Sequence, residues 1–365
     1  TKRPQCSSNG FRKSRRRKLI VLRFALAYVI PGATLLGLAL GGWWTWLALA
    51  QSYVLFPVFD ALVPADSRNP PADQEGALSS RLAYRILTAS AVPIQIGVIL
   101  AGGFFITAPG VTTIEIVGAM IAVGISSGAF AIVAGHELMH QRRFERGLSR
   151  VLMASVMYAH FCVEHVQGHH VHVATPNDPA SAPRGQGLYR FLVRTTVGSW
   201  RSAWRIEAAR LKRKGRPVLH PTNRMLQDAA LTVAVCVGAA LLWGWLGVVY
   251  FLAQGAIAVL QLETINYIEH YGLRRRETAP GKFEAADARH SWNTNRRLTN
   301  LALFNLGRHT DHHNFAGRRY QILRHEPAAP QLPSGYAATM LLALVPPLWR
   351  WIMDPRVDAA MGPVV

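Results

Sequence analysis

The chain has 365 residues, of which half are hydrophobic and only 16% are charged, and its formal net charge is +20 at pH 7. Soluble domains carry about a quarter charged residues, so this composition favours an integral membrane protein. The positive charge is spread between apolar stretches and accompanies no nucleic-acid-binding motif, which argues against a nucleic-acid partner. Three scattered cysteines are too few for a disulfide framework or a Cys-x-x-Cys metal site; they are Cys6, Cys162 and Cys236.

Six apolar segments are long enough to cross a bilayer, which requires about 20 mainly apolar residues. In chain order they are 19–40, 43–63, 82–107, 111–135, 226–243 and 246–265. Because 19–40 is too long for a signal-peptide core and lacks a clear cleavage site, we interpret it as a retained span. The fold class predicted from this pattern is an all-α integral membrane protein with six transmembrane helices and a helical cap on the cytoplasmic side.

The distribution of Lys and Arg predicts the orientation. Three of the turns between spans contain neither residue: 41–42, 108–110 and 244–245. The segment 12–18, the stretch after His140 and the stretch 184–224 are rich in basic residues, mostly arginine. The positive-inside rule therefore predicts that both termini and the histidine clusters described below face the cytoplasm.

Three further segments are expected to lie at the membrane surface or to enter it only partly. The apolar stretch 151–162 is too short to span and is predicted to be interfacial or re-entrant. The stretch 336–353 is interrupted by Pro346-Pro347 and either rests on the membrane or crosses it. Residues 190–214 mix aromatic residues with many arginines, as in an amphipathic helix on anionic headgroups. The predicted organisation is a basic N-terminal segment (1–18), one domain (19–357) and a short tail (358–365).

Nine of the fourteen histidines fall into four short clusters, each just past a long apolar segment. The clusters are His136 and His140; His165, His169 and His170; His270; and His309, His312 and His313. Imidazole is the commonest protein metal ligand and is costly to expose to lipid, so the clusters predict a shared metal site at one membrane face. Nine imidazoles exceed one tetrahedral zinc site and indicate two ions with positions left open for water or oxygen. Iron, copper, nickel and zinc all accept imidazole.

Helical spacing predicts how the clusters are arranged. Residues four apart share a helix face, so His136 and His140 should point the same way, as should His165 and His169. His170 lies about 100° further around the axis and would reach a second metal. The three histidines 309, 312 and 313 should present their nitrogens on one face.

Four acidic residues are embedded in the clusters and are candidates for catalytic support, since a ligand histidine normally donates its other N–H to a carboxylate or carbonyl. They are Glu137, Glu164, Glu269 and Asp311. The histidines outside the clusters, or out of register with them, are expected to be structural: His160, His172, His220, His290 and His325.

Two non-oxygenase functions share some of these features. His136-Glu137-Leu-Met-His140 matches the H-E-x-x-H helix of zinc proteases, in which the glutamate is the base. That alternative needs one further ligand and leaves six clustered histidines without a role. A metal transporter would place ionisable ligands midway through its spans, whereas here they follow the span ends.

The longer motifs carry a family resemblance that extends from about Trp43 to Val357. They are EHVQGHHVHVATPNDPASA (164–182), NYIEHYGL (266–273), RHSWN (289–293), LGRHTDHH (306–313) and APQLPSGY (329–336). In these residues the chain resembles the membrane alkane monooxygenases, within the fatty-acid-desaturase-like, histidine-box di-iron enzymes. The resemblance implies a cytoplasm-facing non-haem centre of two irons, held by the nine clustered histidines. It also implies O₂-dependent hydroxylation of a methyl group of an apolar alkane, with electrons from rubredoxin and its NADH-dependent reductase.

Departures from the family pattern leave the substrate open. Gln141 stands where lysine is common, and Gly307 and Thr310 replace the usual Gln and Ser. The His-Glu-Leu-Met-His sequence and residues 184–199 are also similar to the xylene monooxygenase hydroxylase. Three reactions therefore remain open. They are terminal hydroxylation of medium or long n-alkanes, methyl hydroxylation of alkylbenzenes or terpenoids, and fatty-acyl hydroxylation or desaturation. Bulky residues that could limit substrate length are Trp43, Trp46, Phe56 and Phe130.

Overall fold

A computed structural model describes residues 21–362, and these are helical over most of their length. The helices are α1 (Arg23–Leu40), α2 (Gly42–Leu62), α3 (Glu75–Ser79), α4 (Leu82–Ile106), α5 (Thr113–Met139), α6 (Arg143–Ala154), α7 (161–172), α8 (Leu188–Arg213), α9 (Arg224–His270), α10 (Arg297–Ala302), α11 (His309–Asn314), α12 (Tyr336–Ala343) and α13 (Pro346–Met361). Short 3₁₀ turns occur at Ala72–Gln74, Ala288–His290 and Tyr320–Ile322. The strands β1 (Glu277–Ala279) and β2 (Lys282–Phe283) form a small antiparallel hairpin. The predictions for 1–18, and for the last three residues of the tail, lie outside the described residues.

Five helices are long and apolar enough to cross a membrane: α1, α2, α4, α5 and α9. The 47-residue α9 would be about 70 Å long if straight, more than twice the bilayer core. It is instead broken at Gly244, whose φ of 64° and ψ of −157° are not helical. A Cβ added to Gly247 would lie 2.6 Å from the carbonyl oxygen of Ala239, so the chain folds back there. The two halves, 224–243 and 245–270, are therefore antiparallel spans, and the six-span prediction is confirmed.

The C-terminal segment α12–α13, which was expected either to cross the membrane or to rest on it, is sharply bent. The two helices are bent by 119° relative to each other. Near the start of the segment, the Tyr336 hydroxyl donates to Glu269 at 2.5 Å. Near its end, Asp354 accepts a hydrogen bond from Tyr271 at 2.6 Å. Because Glu269 and Tyr271 flank His270, the last residue of α9, Tyr336 and Asp354 both lie at that end of α9, and the chain doubles back between them.

The most buried span is α5, which carries the first histidine cluster. Nearly three quarters of its apolar window is buried, and it packs along α9. Gly124 permits this close approach, since a Cβ there would lie 2.6 Å from Cβ of Ile257. Polar groups in this interior are paired across helices: Gln95 donates to Ser127, and Ser127 to Gln254, both at 2.8 Å. Such pairing offsets the cost of placing amides away from water.

The remaining helices form a cap over the histidine-bearing ends of the spans. The stretch 151–162 belongs to this cap, as the end of α6, a turn and the start of α7, and it does not span. The amphipathic helix predicted at 190–214 is α8. Its buried residues include Leu211, as well as Phe191 and Thr195, which contact α9, and it leaves Tyr189 and Val193 exposed on another face.

Candidate metal centre

The nine clustered histidines meet at one place and divide into two groups, in each of which one nitrogen per residue lies within 4.8 Å of all the others. The five-histidine group contains His136, His140, His165, His170 and His312. Its closest ring nitrogens are Nε2 of His136 and His165, at 2.8 Å, and Nε2 of His165 and His170, at 3.0 Å. His312 reaches the same group from α11, with its Nε2 3.1 Å from that of His170.

The four-histidine group contains His169, His270, His309 and His313. His270 ends the last span, and its Nε2 lies 3.1 Å from Nε2 of His309. Nε2 of His313 lies 3.0 Å from the same atom. Three elements, α7, α9 and α11, thus supply this group.

The division between groups differs from the one expected from α-helical spacing. Residues His165–His169 form a π-helical turn, in which residues five apart rather than four apart align. His165 and His170 therefore share the five-histidine group, and His169 turns to the other. The prediction that His165 and His169 would point the same way, with His170 reaching the second metal, was wrong.

Helix α11 also serves both groups instead of presenting three nitrogens to one. His309 and His313, four residues apart, belong to the four-histidine group, whereas His312 turns to the five-histidine group. This six-residue helix lies between the two groups, so its neighbouring side chains diverge. The single face predicted for the three histidines is corrected accordingly.

The donor sets suit metal ions. Imidazole nitrogens bind such ions at about 2.1 Å, so two of them at right angles around one ion are about 3.0 Å apart. The observed separations of 2.8–3.1 Å match that spacing. Burial lowers the pKa of His140 to about 3, which keeps its ring in the neutral form that binds metal. The buried Nε2 atoms of His140 and His169 have no hydrogen-bond partner, as expected of free ligand atoms.

Asp178 orients His169 and was not singled out from the sequence. Its Oδ2 lies 2.9 Å from Nδ1 of His169 and accepts a 2.6 Å hydrogen bond from Ser181, with both members of the His169 contact buried. Burial alone would raise the pKa of this carboxyl, but the contact with His169 holds it below its usual range. The nine-residue separation follows no helical rule. The only available signal was an acidic residue in the long motif 164–182.

Of the four acidic residues predicted to support the ligands, one lies against a clustered imidazole. Glu269 Oε1 is 3.2 Å from Nδ1 of His309, and the same oxygen accepts the hydrogen bond from Tyr336. Among the described residues, no oxygen of the other three, Glu137, Glu164 and Asp311, lies within ion-pair distance of a histidine.

Those three carboxylates have other surroundings. Glu137 accepts from Gln141 at 3.1 Å, and Asp311 accepts from Arg318 at 2.6 Å. Glu164 is fully buried without a hydrogen-bond partner, and burial, together with the nearby Asp178, raises its pKa to about 8. Their expected contact with the ligand rings is therefore corrected.

One cavity lies beside the five-histidine group, and a second, larger cavity shares Leu303 with it. The smaller is lined by His136 and His312 together with Leu303 and other apolar residues. The larger lies among the spans, and its lining, which is mostly apolar, includes Ile30, Phe56 and again Leu303. Leu303 thus forms a wall common to both. Of the four bulky residues expected to limit substrate length, Phe56 lines the larger cavity. Phe130 is packed in the core, Trp46 is half-buried beside Gly118, and Trp43 is exposed.

The fold and the histidine groups together define a multi-pass helical membrane protein with a histidine arrangement compatible with a metal site. The sequence model of the family described as "Fatty acid desaturase" matches residues 113–341, a segment that includes both histidine groups. The alkane 1-monooxygenase 2 of Pseudomonas aeruginosa is 43% identical over 339 residues, which cover 89% of each chain. The alkane 1-monooxygenase of Pseudomonas putida is 38% identical, over 90% of this chain and 83% of the relative.

A third relative represents a different substrate class. The xylene/toluene monooxygenase hydroxylase component of Pseudomonas putida is 31% identical, over 90% of this chain and 86% of the relative. The chain therefore belongs to the fatty acid desaturase family, in the group that contains the alkane 1-monooxygenases.

Proposed function

We propose that the protein hydroxylates the terminal methyl group of medium- or long-chain n-alkanes with O₂, giving primary alcohols. The observation that carries this proposal is the convergence of nine histidines, six buried and three half-buried, into groups of five and four, with a mainly apolar cavity beside the five-histidine group. The similarity of the chain to proteins named alkane 1-monooxygenases supports this class of reaction.

The proposed cofactor is a pair of non-haem irons, one in each histidine group. Five imidazoles around one position exceed the four ligands of structural zinc and the three protein ligands of catalytic zinc. Iron accepts imidazole and the higher coordination number. When bound, the two irons supply the electron transfers that let O₂ attack an unactivated C–H bond.

The chain's own residues would hold this centre in place. Asp178 fixes the His169 ring with Nε2 free, and Glu269, whose Oε1 lies 3.2 Å from Nδ1 of His309, would help to orient that ring. Tyr336 donates to Glu269 and thereby secures the carboxylate. Such partners typically determine ligand orientation and metal affinity.

The apolar cavity is the proposed substrate site. An alkane partitions into the bilayer, and a cavity among the spans would admit it without passage through water. In this larger cavity, Ile30 and Phe56 offer only van der Waals contacts to a substrate. Leu303 lines it on the side of the smaller cavity, which contains His136 and His312. Exclusion of water from this region would protect the reaction from competing chemistry.

The proposed electron donor is rubredoxin, itself reduced by an NADH-dependent rubredoxin reductase. Rubredoxins are acidic, and a chain with a net charge of +20 would attract one. The proposed location is the bacterial inner membrane with the histidines facing the cytoplasm, as the positive-inside rule predicts.

Methyl hydroxylation of alkylbenzenes is the second candidate, because one relative is a xylene/toluene monooxygenase component. The zinc protease is disfavoured, since both histidines of its motif belong to a group of five.

A substrate panel tests the proposal. Membranes containing the chain, rubredoxin, its reductase and NADH would be supplied with octane, p-xylene or a fatty acyl substrate under ¹⁸O₂, and products analysed by mass spectrometry. We expect labelled 1-octanol as the main product and two irons per chain by elemental analysis. Faster formation of 4-methylbenzyl alcohol would favour the second candidate. A single zinc and no labelled alcohol would reject both.

A further inference from the structure

A large recess beside the metal centre is lined by arginines. The arginine pocket, as we name it, lies among the loop 174–187, the start of α8, the turn 272–277 and helix α13. Its basic residues are Arg184, Arg190, Arg194, Arg274, Arg275 and Arg350, against one lining acid, Glu277. The centre proposed above does not use this recess.

Half of these arginines are engaged by the protein itself. Arg184 pairs with Asp358 at 2.8 Å, Arg194 donates to the carbonyl of Ser181 at 2.8 Å, and Arg275 donates to a backbone carbonyl. Within residues 21–362, no carboxylate lies within ion-pair distance of Arg190, Arg274 or Arg350. The pocket therefore carries uncompensated positive charge that an anion would neutralise.

The pocket lies beside the bend between α12 and α13. The Tyr189 hydroxyl donates to the carbonyl of Leu344 at 2.8 Å, and Pro346 packs beside Gly187, so the start of α8 rests on the bend between α12 and α13. Large apolar side chains next to the pocket are exposed: Tyr189 by 59%, Val193 by 69% and Trp351 by 75%. Aromatic residues beside arginines are typical of the headgroup region.

We propose that the arginine pocket binds the phosphate-bearing headgroup of an anionic phospholipid. Guanidinium groups present a planar fork of donors that matches phosphate oxygens, and basic recesses between membrane helices favour such headgroups. The acyl chains would lie along the exposed apolar side chains of α8 and α13. A soluble acidic protein fits less well, because those side chains border the pocket and would need to remain in lipid.

The bound headgroup would also contact the loop that carries Asp178. This loop lines the pocket through Ala174 and Ser181, and Ser181 donates to Asp178. Occupancy should therefore raise the thermal stability of the protein.

The test is titration of the purified full chain in neutral detergent with short-chain phosphatidylglycerol or phosphatidylcholine, followed by native mass spectrometry and thermal unfolding. The pocket variant is Arg190→Gln/Arg350→Gln. The control, Arg201→Gln/Arg205→Gln, removes the same charge from exposed positions of α8 outside the pocket. We expect one preferred phosphatidylglycerol per chain, bound about 30-fold more weakly by the pocket variant, since two arginines near the surface are lost. The control should bind as the unmodified chain does.

Three results would overturn the proposal. The first is equal binding of the two lipids by the unmodified chain, and the second is undiminished phosphatidylglycerol binding by the pocket variant. The third is full displacement of the lipid by an equal concentration of inorganic phosphate, which would indicate a site for free phosphate. Matching metal content and helical circular dichroism in both variants would establish that they are folded.

Discussion

Asp178 determines which nitrogen of His169 faces the four-histidine group. Its carboxylate accepts from Nδ1 and leaves Nε2 free. Asn in its place can donate to Nδ1 and so stabilise the opposite tautomer. We expect Asp178→Asn to lower metal affinity or turnover about 10- to 100-fold. Metal content after dialysis against a chelator would measure this. Asp354→Asn, which removes a carboxylate bonded to Tyr271 instead of to a histidine, is the control and should retain its metal.

His312 tests the five-histidine group directly. It is the only member from α11, and its Nε2 lies 3.1 Å from that of His170. We expect His312→Ala to abolish metal loading of this group and turnover of octane. His220→Ala is a matched control, since His220 bonds Thr222 and belongs to neither group. Full metal retention by His312→Ala would contradict the ligand role assigned to this residue.

Glu207 provides a pH-dependent contribution to stability. It is buried where α8 meets α9, and it accepts hydrogen bonds from Arg210 and Arg224. Burial alone would raise the pKa of this carboxyl, but these hydrogen bonds lower it from 4.5 to about 2. A lowered pKa stabilises the folded protein fully above the unfolded value of 4.5, and this contribution is lost as the pH falls towards 2.

The corresponding variant is Glu207→Gln, which leaves both arginines without a carboxylate. We expect the free energy of unfolding in detergent to fall by about 1–3 kcal/mol near neutral pH. The difference from the unmodified chain should shrink between pH 4.5 and 2, where the native carboxyl becomes protonated. Asp73→Asn, at an exposed position, should change neither value. A difference that grows on acidification would contradict the assignment.

At the scale of the element, the π-helical turn His165–His169 distributes the second cluster between the two groups. Gly168 in this turn has little room, because an added Cβ would lie 2.5 Å from Oε1 of Glu164 and 3.2 Å from Cδ1 of Ile206. Gly168→Ala should therefore shift the turn, cost about 1–3 kcal/mol and reduce metal content in both groups. Elemental analysis and thermal unfolding would show both effects. Gly147→Ala in α6 meets no atom within 4 Å and should be neutral or slightly stabilising.

Some elements followed from the sequence and others did not, for physical reasons. Spans could be predicted because the bilayer sets a length and an apolar composition that six segments satisfy, including the pair divided at Gly244. The nine histidines could be predicted as a set because imidazole is rare near lipid. Their partition could not, since a π-helical turn leaves no periodic signal at His165–His169. Asp178 reaches His169 through an irregular loop, and such contacts depend on tertiary packing.

At the scale of the whole molecule, paired reversals return the chain to the histidine-bearing face. The break at Gly244 brings the chain back to His270. The bend between α12 and α13 brings Asp354 back to Tyr271, the residue after His270. Arg150, just after the first cluster, pairs with Asp228 at the start of α9. These contacts place both ends of α9 on one side of the protein, which requires that its middle lie on the other.

This arrangement predicts the topology of three insertion sites. A reporter inserted after Gly110 or at Gly244 should read as periplasmic, and one after Arg150 as cytoplasmic, because basic segments are retained inside. The Gly244 site is the most informative, since a straight α9 would place it within the bilayer and the hairpin places it outside. Parallel assays with a periplasm-active phosphatase and a cytoplasm-active fluorescent protein would give opposite signals at each site. A cytoplasmic signal at Gly244 together with a periplasmic one at Arg150 would reverse the orientation of the metal centre, and rubredoxin could then not reach it.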